Sequence, residues 1–299
     1  MVTEHDRRTT LLAAAALLAL AACWGSTFFM IKDLLDRVPT LDFLALRFSI
    51  ASLALLLVAP RAIARLSPVV RRHAVVLGLL YGVAQILQTA GLAHTPASIS
   101  GFVTGLYVVC TPLLAAAILR TRIPPITWAA VALATVGLGV LALNGLSIGY
   151  GELITLASAV LYALHIVGLG AWSSAQDAIG MTILQVMVIA VVCTLSTARD
   201  GIVLPDRAGD WASVAYMAVV VGALGLLGQT WAQAHLPPTR SAIIMSMEPV
   251  FVSLFAVSLG GEDVTARLLL GGTMVLVAML TVELAPRRVV EGEVPHIAV

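Results

Sequence analysis

Ten apolar runs fix what this chain can fold into. They lie near residues 10–31, 41–59, 74–93, 98–119, 126–143, 150–171, 178–198, 211–234, 240–259 and 266–284. Each is close to the roughly 20 residues that a helix needs to cross a hydrocarbon core. Inside such a core every backbone N–H and C=O must be satisfied by the protein itself, which leaves helices or closed barrels. The runs are too long and too continuous for barrel strands. The expected fold is therefore all-α, a polytopic membrane protein of ten transmembrane helices. Breakers and charges separate them, including Pro39, Thr95-Pro96, Pro124-Pro125, Asn144-Gly145, Pro237-Pro238 and the stretches 60–72, 200–210 and 260–263.

Composition closes off the soluble alternative. Of 299 residues, 60% are hydrophobic and 11% charged, against about a quarter charged in soluble domains. So few charges cannot cover a water-facing surface, so the solvent, and the first partner, is the lipid bilayer. The net charge of +1 gives no reason to expect a nucleic-acid partner. Cys23, Cys110 and Cys193 sit in apolar runs with neither disulfide nor metal-ligand spacing. No H-E-x-x-H, G-x-S-x-G, His/Asp cluster or Gly-rich nucleotide loop occurs, so neither catalysis, metal nor cofactor is expected.

Loop charges orient the chain. With the N-terminus cytoplasmic, the inner segments hold Arg7, Arg8, Arg61, Arg65, Arg71, Arg72, Arg120, Arg122, Arg240, Arg287 and Arg288. The outer ones hold Lys32, Arg37, Arg199, Arg207 and Arg267. That bias places both termini inside, in a bacterial inner membrane. Arg7-Arg8 before an apolar run, with Leu20-Ala21-Ala22-Cys23 after it, imitates a cleaved lipoprotein signal. The apolar run continues to Ile31, however, long enough to span, so cleavage is not expected.

The chain repeats itself. Gln88-Thr89-Ala90-Gly91-Leu92-Ala93-His94-Thr95-Pro96 and Gln229-Thr230-Trp231-Ala232-Gln233-Ala234-His235-Leu236-Pro237 share Q-T-x-x-x-A-H-x-P at a displacement of 141 (229 − 88). The same displacement pairs Ser100 with Ser241 and Leu113 with Leu254, and one of 138 sets Trp24-Gly25 against Tyr162-Ala163. Gln, His and Pro are scarce here, which makes their coincidence informative. Two five-helix halves are expected, 1–146 and 147–299, the second ending in a short cytoplasmic tail. Five is odd, so the second half enters the membrane from the opposite side. Inverted repeats are an architecture of secondary transporters, with the substrate held near the midplane between them.

Several segments resemble the EamA-type ten-helix members of the drug/metabolite transporter superfamily. They are Trp24-Gly25-Ser26-Thr27-Phe28, Leu46-Arg47-Phe48, Gly101-Phe102-Val103-Thr104-Gly105-Leu106-Tyr107-Val108-Val109 and Met247-Glu248-Pro249-Val250. Halves of this type often end the fourth helix in Gly-Glu. Gly261-Glu262 keeps that pattern, while the first half has Leu119-Arg120-Thr121-Arg122. The resemblance covers about Thr10 to Leu284. It implies an exporter of amino acids or other small metabolites, with a central cavity lined by both halves.

Glu248, inside the ninth run beside Pro249, is the most informative ionisable residue. A carboxylate at membrane depth marks a functional site by default, and it suits a proton carrier or the partner of a substrate amine. The alternative is a hydrogen-bonded support of a Pro-broken helix. Pro112 and Pro249 are expected to interrupt the fourth and ninth helices. Arg47 reads as an orienting or packing element, either snorkelling or pairing with an acid such as Glu248 or Glu283. His94 and His235 each close a helix before a Pro, where a His suits the helix dipole. His165 is mid-span, either facing a cavity or satisfied in the core. Trp24, Tyr81, Tyr107 and Tyr162 fall in helix interiors, and with Gln85, Gln88 and Gln229 are candidates to line a cavity. The proposed substrate-binding set is Trp24, Tyr81, Gln85, Tyr107, Tyr162, His165, Gln229 and Glu248. The first, third, fourth, sixth, eighth and ninth helices should enclose it. Gly78-x-x-x-Gly82, Gly101-x-x-x-Gly105 and Gly222-x-x-Gly225-x-x-Gly228 favour close internal packing, and hence a monomer or weak homodimer. A lipid-linked carrier flippase is the alternative function.

Overall fold

The computed structural model describes residues 4–119, 125–144, 147–197 and 201–284. Among these, seven helices are long and apolar enough to cross a membrane, and Trp128–Leu141, Glu248–Ser258 and Ala266–Thr281 are shorter apolar helices. Together they make a polytopic bundle of about ten spans. A two-residue antiparallel bridge, Leu143–Asn144 with Ser147–Ile148, joins the fifth and sixth spans.

The distribution of side chains is inside-out. Leu53, Leu57, Val58, Leu195, Leu254 and Leu269 are exposed on the outer faces, while Arg47, Gln85, His165, Gln229 and Glu248 are buried. In water that arrangement would be unstable. In lipid it is the low-energy one, because hydrocarbon accepts leucine and rejects unsatisfied polar groups.

Most expected helices appear within a few residues, and each difference has a local cause. The third span begins at Pro68 rather than 74: the Ser67 hydroxyl accepts from the Val70 N–H at 3.3 Å, and Pro68 occupies the first helical position. Arg71 and Arg72 therefore lie on a helix. The first span runs Glu4–Gly25, breaks at Ser26 and resumes as Thr27–Leu35. Ser26 and Thr27 hydroxyls donate back to the Cys23 and Trp24 carbonyls at 2.7 Å, competing with the helix's own bonds. The eighth span passes through a π-helical segment, Met217–Leu224, between Ala208–Tyr216 and Gly225–Gln233.

The fourth span corrects an expectation. Pro112 does not break it: that proline sits inside the helix Tyr107–Leu119, where the Thr111 hydroxyl donates to the Tyr107 carbonyl at 2.7 Å. The break falls nearly two turns earlier, at Leu106, between Ala97–Gly105 and Tyr107–Leu119. The ninth span breaks between Pro238–Met245 and Glu248–Ser258. Helices thus begin at 97, 107 and 125 in one half of the chain and at 238, 248 and 266 in the other, each displaced by 141. Both interruptions obey the repeat; the two prolines do not.

Packing obeys it too. The second span lies on the seventh, the fourth on the ninth and the fifth on the tenth, each pair mapping onto itself when the halves are exchanged. The third span's contacts with the sixth and seventh are matched by the eighth's with the first and second. Glycines permit the closest of these approaches. A Cβ on Gly91 would stand 2.7 Å from the Gly151 carbonyl, and one on Gly151 2.8 Å from that of Gly91.

Bonds at the two ends agree with alternate crossings. At one end Arg37 forks onto Asp210, Nε to Oδ2 at 3.0 Å and Nη2 to Oδ1 at 2.8 Å, and Asp42 accepts from the Val203 N–H at 3.0 Å. At the other, residues 59–66 and 176–180 meet around one surface pocket. Arg120, Arg122, Arg199, Arg287 and Arg288, which contribute to the charge bias, lie outside the described residues.

Gly91→Ala should lower thermal stability in detergent by about 1–3 kcal/mol through overpacking at the third–sixth crossing. Gly209→Ala, where nothing lies within 4 Å of the added carbon, should stay close to wild type on the same melting curves.

Candidate functional site

The broken and widened helices converge on one central cavity. Its water-occupiable space is about 50 Å³, room for a few waters at roughly 10–15 Å³ each and far short of a metabolite. Trp24, Tyr81, Gln85, Tyr107, Tyr162, His165, Gln229 and Glu248 all line it. So do Thr27, Phe28, Ile31, Arg47, Gln88, Thr89, Leu92, Thr104, Ile166 and Met245. The first, third, fourth, sixth, eighth and ninth spans contribute, and the second joins them through Arg47, a wall that pattern alone did not assign.

Tyr107 and Glu248 define the centre. They are repeat-equivalent, 141 residues apart, and the Tyr107 hydroxyl donates to Glu248 Oε2 at 3.4 Å. Each is the first residue of its helix beyond the break. The contact brings the two interrupted helices together.

Polar groups around the centre are linked in short relays. The Tyr162 hydroxyl donates to Gln88 Oε1 at 2.7 Å, and Gln88 Nε2 donates to the Thr104 hydroxyl at 3.2 Å. Gln85 Nε2 donates to the Tyr81 hydroxyl at 3.2 Å. His165 Nε2 shares a 2.9 Å bond with Gln185 Oε1, its ring lying 4.9 Å from that of Tyr81. The Tyr81 and Tyr162 rings meet edge-on at 5.5 Å. Gln229 Oε1 and His165 Nδ1 are buried with no hydrogen-bond partner among the described residues.

The π-helical stretch of the eighth span supplies two of the anchors. Its irregular turn presents carbonyls to side chains: Arg47 Nε donates to the Met217 carbonyl at 3.1 Å, and Trp24 Nε1 to that of Val221 at 3.3 Å. The guanidinium lies 5.2 Å from the Phe48 ring and 5.9 Å from that of Phe43. Among the described residues both arginine ion pairs belong to Arg37, so of the alternatives for Arg47 a pair with Glu248 is not formed. The side chain of Glu283 lies outside the described residues.

His94 and His235 lie away from the cavity. His94 meets Tyr150 edge-on at 5.7 Å, and His235 Nδ1 bonds the Trp231 carbonyl at 2.8 Å.

At the Arg37 end, a clamp holds the turn between the third and fourth spans. Lys32 Nζ donates to the Leu92 and Thr95 carbonyls at 3.2 and 2.7 Å, against the negative end of the third span's dipole. Glu262 accepts from the Ala97 and Ser98 N–H groups at 2.5 and 3.3 Å and from the Ser98 hydroxyl at 2.5 Å, capping the fourth span. Lys32, Glu262, Asp33 and Asp36 line one pocket at this end, separate from the central cavity. The residue 138 after Lys32 is Gly170 and the residue 141 before Glu262 is Thr121, so neither charge of the clamp recurs at its repeat-equivalent position. Thr121 lies outside the described residues.

A lipid-facing helical bundle around a small polar cavity is the build of a membrane transporter. The EamA-like transporter family profile matches twice, over residues 11–143 and 149–284, and the chain belongs to that family. It is a multi-pass membrane transporter of the drug/metabolite superfamily. An uncharacterized transporter from Archaeoglobus fulgidus is 26% identical over 279 residues, 92% of this chain and 86% of its own length. A solved crystal structure, described only as that of a protein, superposes with a TM-score of 0.66 at 18% identity, over 90% of this chain and 95% of its own. It shows that the fold is shared.

Glu262→Ala should lower the melting stability by about 1 kcal/mol, the usual worth of an N-cap, and Glu262→Gln, which keeps an acceptor, by less. Thermal unfolding in detergent separates the two.

Proposed function

We propose that this transporter is a secondary exporter of small, charge-balanced metabolites, amino acids and amphipathic compounds among them, across a bacterial inner membrane with both termini cytoplasmic. Its halves, 1–146 and 147–299, are inverted copies that rock about the meeting point of Tyr107 and Glu248. Substrate contacts come from Trp24, Tyr81, Gln85, Tyr107, Tyr162, His165, Gln229 and Glu248. The observation that carries the reading is the placement of both helix interruptions, at Leu106 and before Glu248, at repeat-equivalent positions beside one cavity. Interrupted helices expose backbone groups that an unbroken span would consume, and a pair of them at matching places is a feature of transporter sites.

The cavity's small volume makes motion part of the reading. A metabolite enters only when the halves part at one face, and the constricted state is a step between the two open ones. Energy comes from a gradient. Among the described residues Glu248 is the only acidic one lining the cavity, and it is the group through which protons couple.

Purified protein in liposomes should carry labelled amino acids in response to an imposed proton gradient. Glu248→Gln should abolish the gradient-driven part of the flux, by about tenfold or more. Gradient-independent flux of equal rate in both proteins would contradict proton coupling. Flux of a lipid-linked sugar, with none of small solutes, would replace the exporter with a lipid carrier.

A further inference from the structure

The two ends of the bundle close their loops differently. At the Arg37 end the protein's own carboxylates hold the connection before the eighth span: Asp210 receives the Arg37 fork, and Asp42 the Val203 N–H. The repeat carries the start of the second span, Thr40, onto that of the seventh, Ala178, a displacement of 138. Asp42 thereby falls on Gly180, where a Cβ would stand 2.9 Å from the Ala62 carbonyl. The connection at this opposite end, residues 59–72, holds Arg61, Arg65, Arg71 and Arg72 and no acid.

A recess of about 380 Å³ lies between that connection and the start of the seventh span, within the roughly 300–1,000 Å³ of small-molecule pockets. Arg61 and Arg65 line it, both exposed, and neither side chain has an ion pair or hydrogen bond among the described residues. Asp177, the acid on its wall, pairs with neither; it accepts from the Ser174 hydroxyl at 2.7 Å. The seventh span begins here, so the positive end of its dipole opens on the same space. Arg71 Nη2 donates to the Ala64 carbonyl at 3.0 Å, which fixes the turn Ile63–Arg65 that carries Arg65.

An exposed arginine alone is ordinary; its setting here is not. The same recess is walled by Val58, 84% exposed, and Ile179, 46% exposed, and Leu57 beside Val58 also faces outward. Apolar groups so placed are at ease against hydrocarbon. Trp172, the last residue of the sixth span, is partly exposed and stacks on His73 with ring centroids 4.4 Å apart. Tryptophan at a span end marks the headgroup level. The recess therefore lies where acyl chains give way to headgroups, and it offers cationic groups and an apolar wall together. A soluble anion would match only the first of these.

We propose that this recess binds the headgroup of an anionic phospholipid, with Arg61 and Arg65 on the phosphate and an acyl chain along Val58 and Ile179. A guanidinium fork suits phosphate oxygens. The connection lies in the first family match, 11–143, and the seventh span in the second, 149–284. The lipid thus bridges the two repeats at one end, as Arg37–Asp210 and Asp42–Val203 bridge them at the other. This site is separate from the central cavity and does not depend on the exporter reading.

The test is lipid binding to the purified full-length protein in a neutral detergent, counted by native mass spectrometry and read in parallel as a shift of the melting temperature. The probes are dioleoyl phosphatidylglycerol, dioleoyl phosphatidylcholine and glycerophosphate, which has the anion without acyl chains. Wild-type protein should bind phosphatidylglycerol about tenfold or more tightly than phosphatidylcholine and melt at a higher temperature with it. Glycerophosphate at the same concentration should do neither. Arg61→Gln and Arg65→Gln should each weaken phosphatidylglycerol binding by about fivefold, the order expected for one cation beside an anionic headgroup. Arg72→Gln removes the same charge from the same connection outside the recess, and should change binding by less than about twofold. Equal loss in all three variants would mean diffuse attraction to a positive surface and overturns the site, as does equal affinity for the two lipids. Glycerophosphate binding as tightly as phosphatidylglycerol overturns the lipid in favour of a soluble anion. If a variant does not fold, the wild-type preference among the three probes decides by itself.

Discussion

Hydrocarbon offers no hydrogen bonds, and that one property of the solvent governs where each polar group of this chain lies. Backbone groups are consumed in helices, and leucines face outward. The polar side chains that remain must turn inward and find partners among themselves. They do so as relays: Tyr162 to Gln88 to Thr104, Gln85 to Tyr81, and His165 to Gln185. Where the relays stop, at Arg47, Glu248 and Gln229, a cavity remains.

Irregular backbone is the means by which the cavity acquires its chemistry. A straight α-helix spends every interior carbonyl on its own ladder. The π-helical stretch Met217–Leu224 instead offers the Met217 and Val221 carbonyls to Arg47 and Trp24. The breaks at Leu106 and before Glu248 bring Tyr107 and Glu248 to the head of their second half-helices, facing each other. The continuous third and sixth spans provide the firm wall, fastened by the Gly91–Gly151 contact. The charged clamp on the turn at residues 94–98 fastens that end.

Much of this was legible in the sequence, and the exceptions are instructive. The repeat could be read because Gln88, His94 and Pro96 return as Gln229, His235 and Pro237 in a chain where those residue types are scarce. Eight cavity residues were legible as polar or aromatic groups in apolar runs, where only an interior position tolerates them. The helix interruptions were located to the right spans: the ninth breaks just before Glu248-Pro249 as expected, whereas the fourth breaks at Leu106 rather than at the conspicuous Pro112. The π-helical segment was not legible, since Met217–Leu224 is uniformly apolar or glycine and differs from an α-helix only in hydrogen-bond register. Arg47 was visible as a charge inside a span. Its place on the cavity depends on that register, because Met217 supplies the carbonyl that turns it inward.

The central claim is that the two halves enter the membrane from opposite sides, so that equivalent residues meet at its middle. Single-cysteine variants at His94 and His235, made in a protein whose three native cysteines are replaced, test it through labelling of oriented membrane vesicles with an impermeant maleimide. The account predicts that the His94→Cys protein is labelled only from the periplasmic face and the His235→Cys protein only from the cytoplasmic face. Labelling of both from the same face would contradict the inverted duplication.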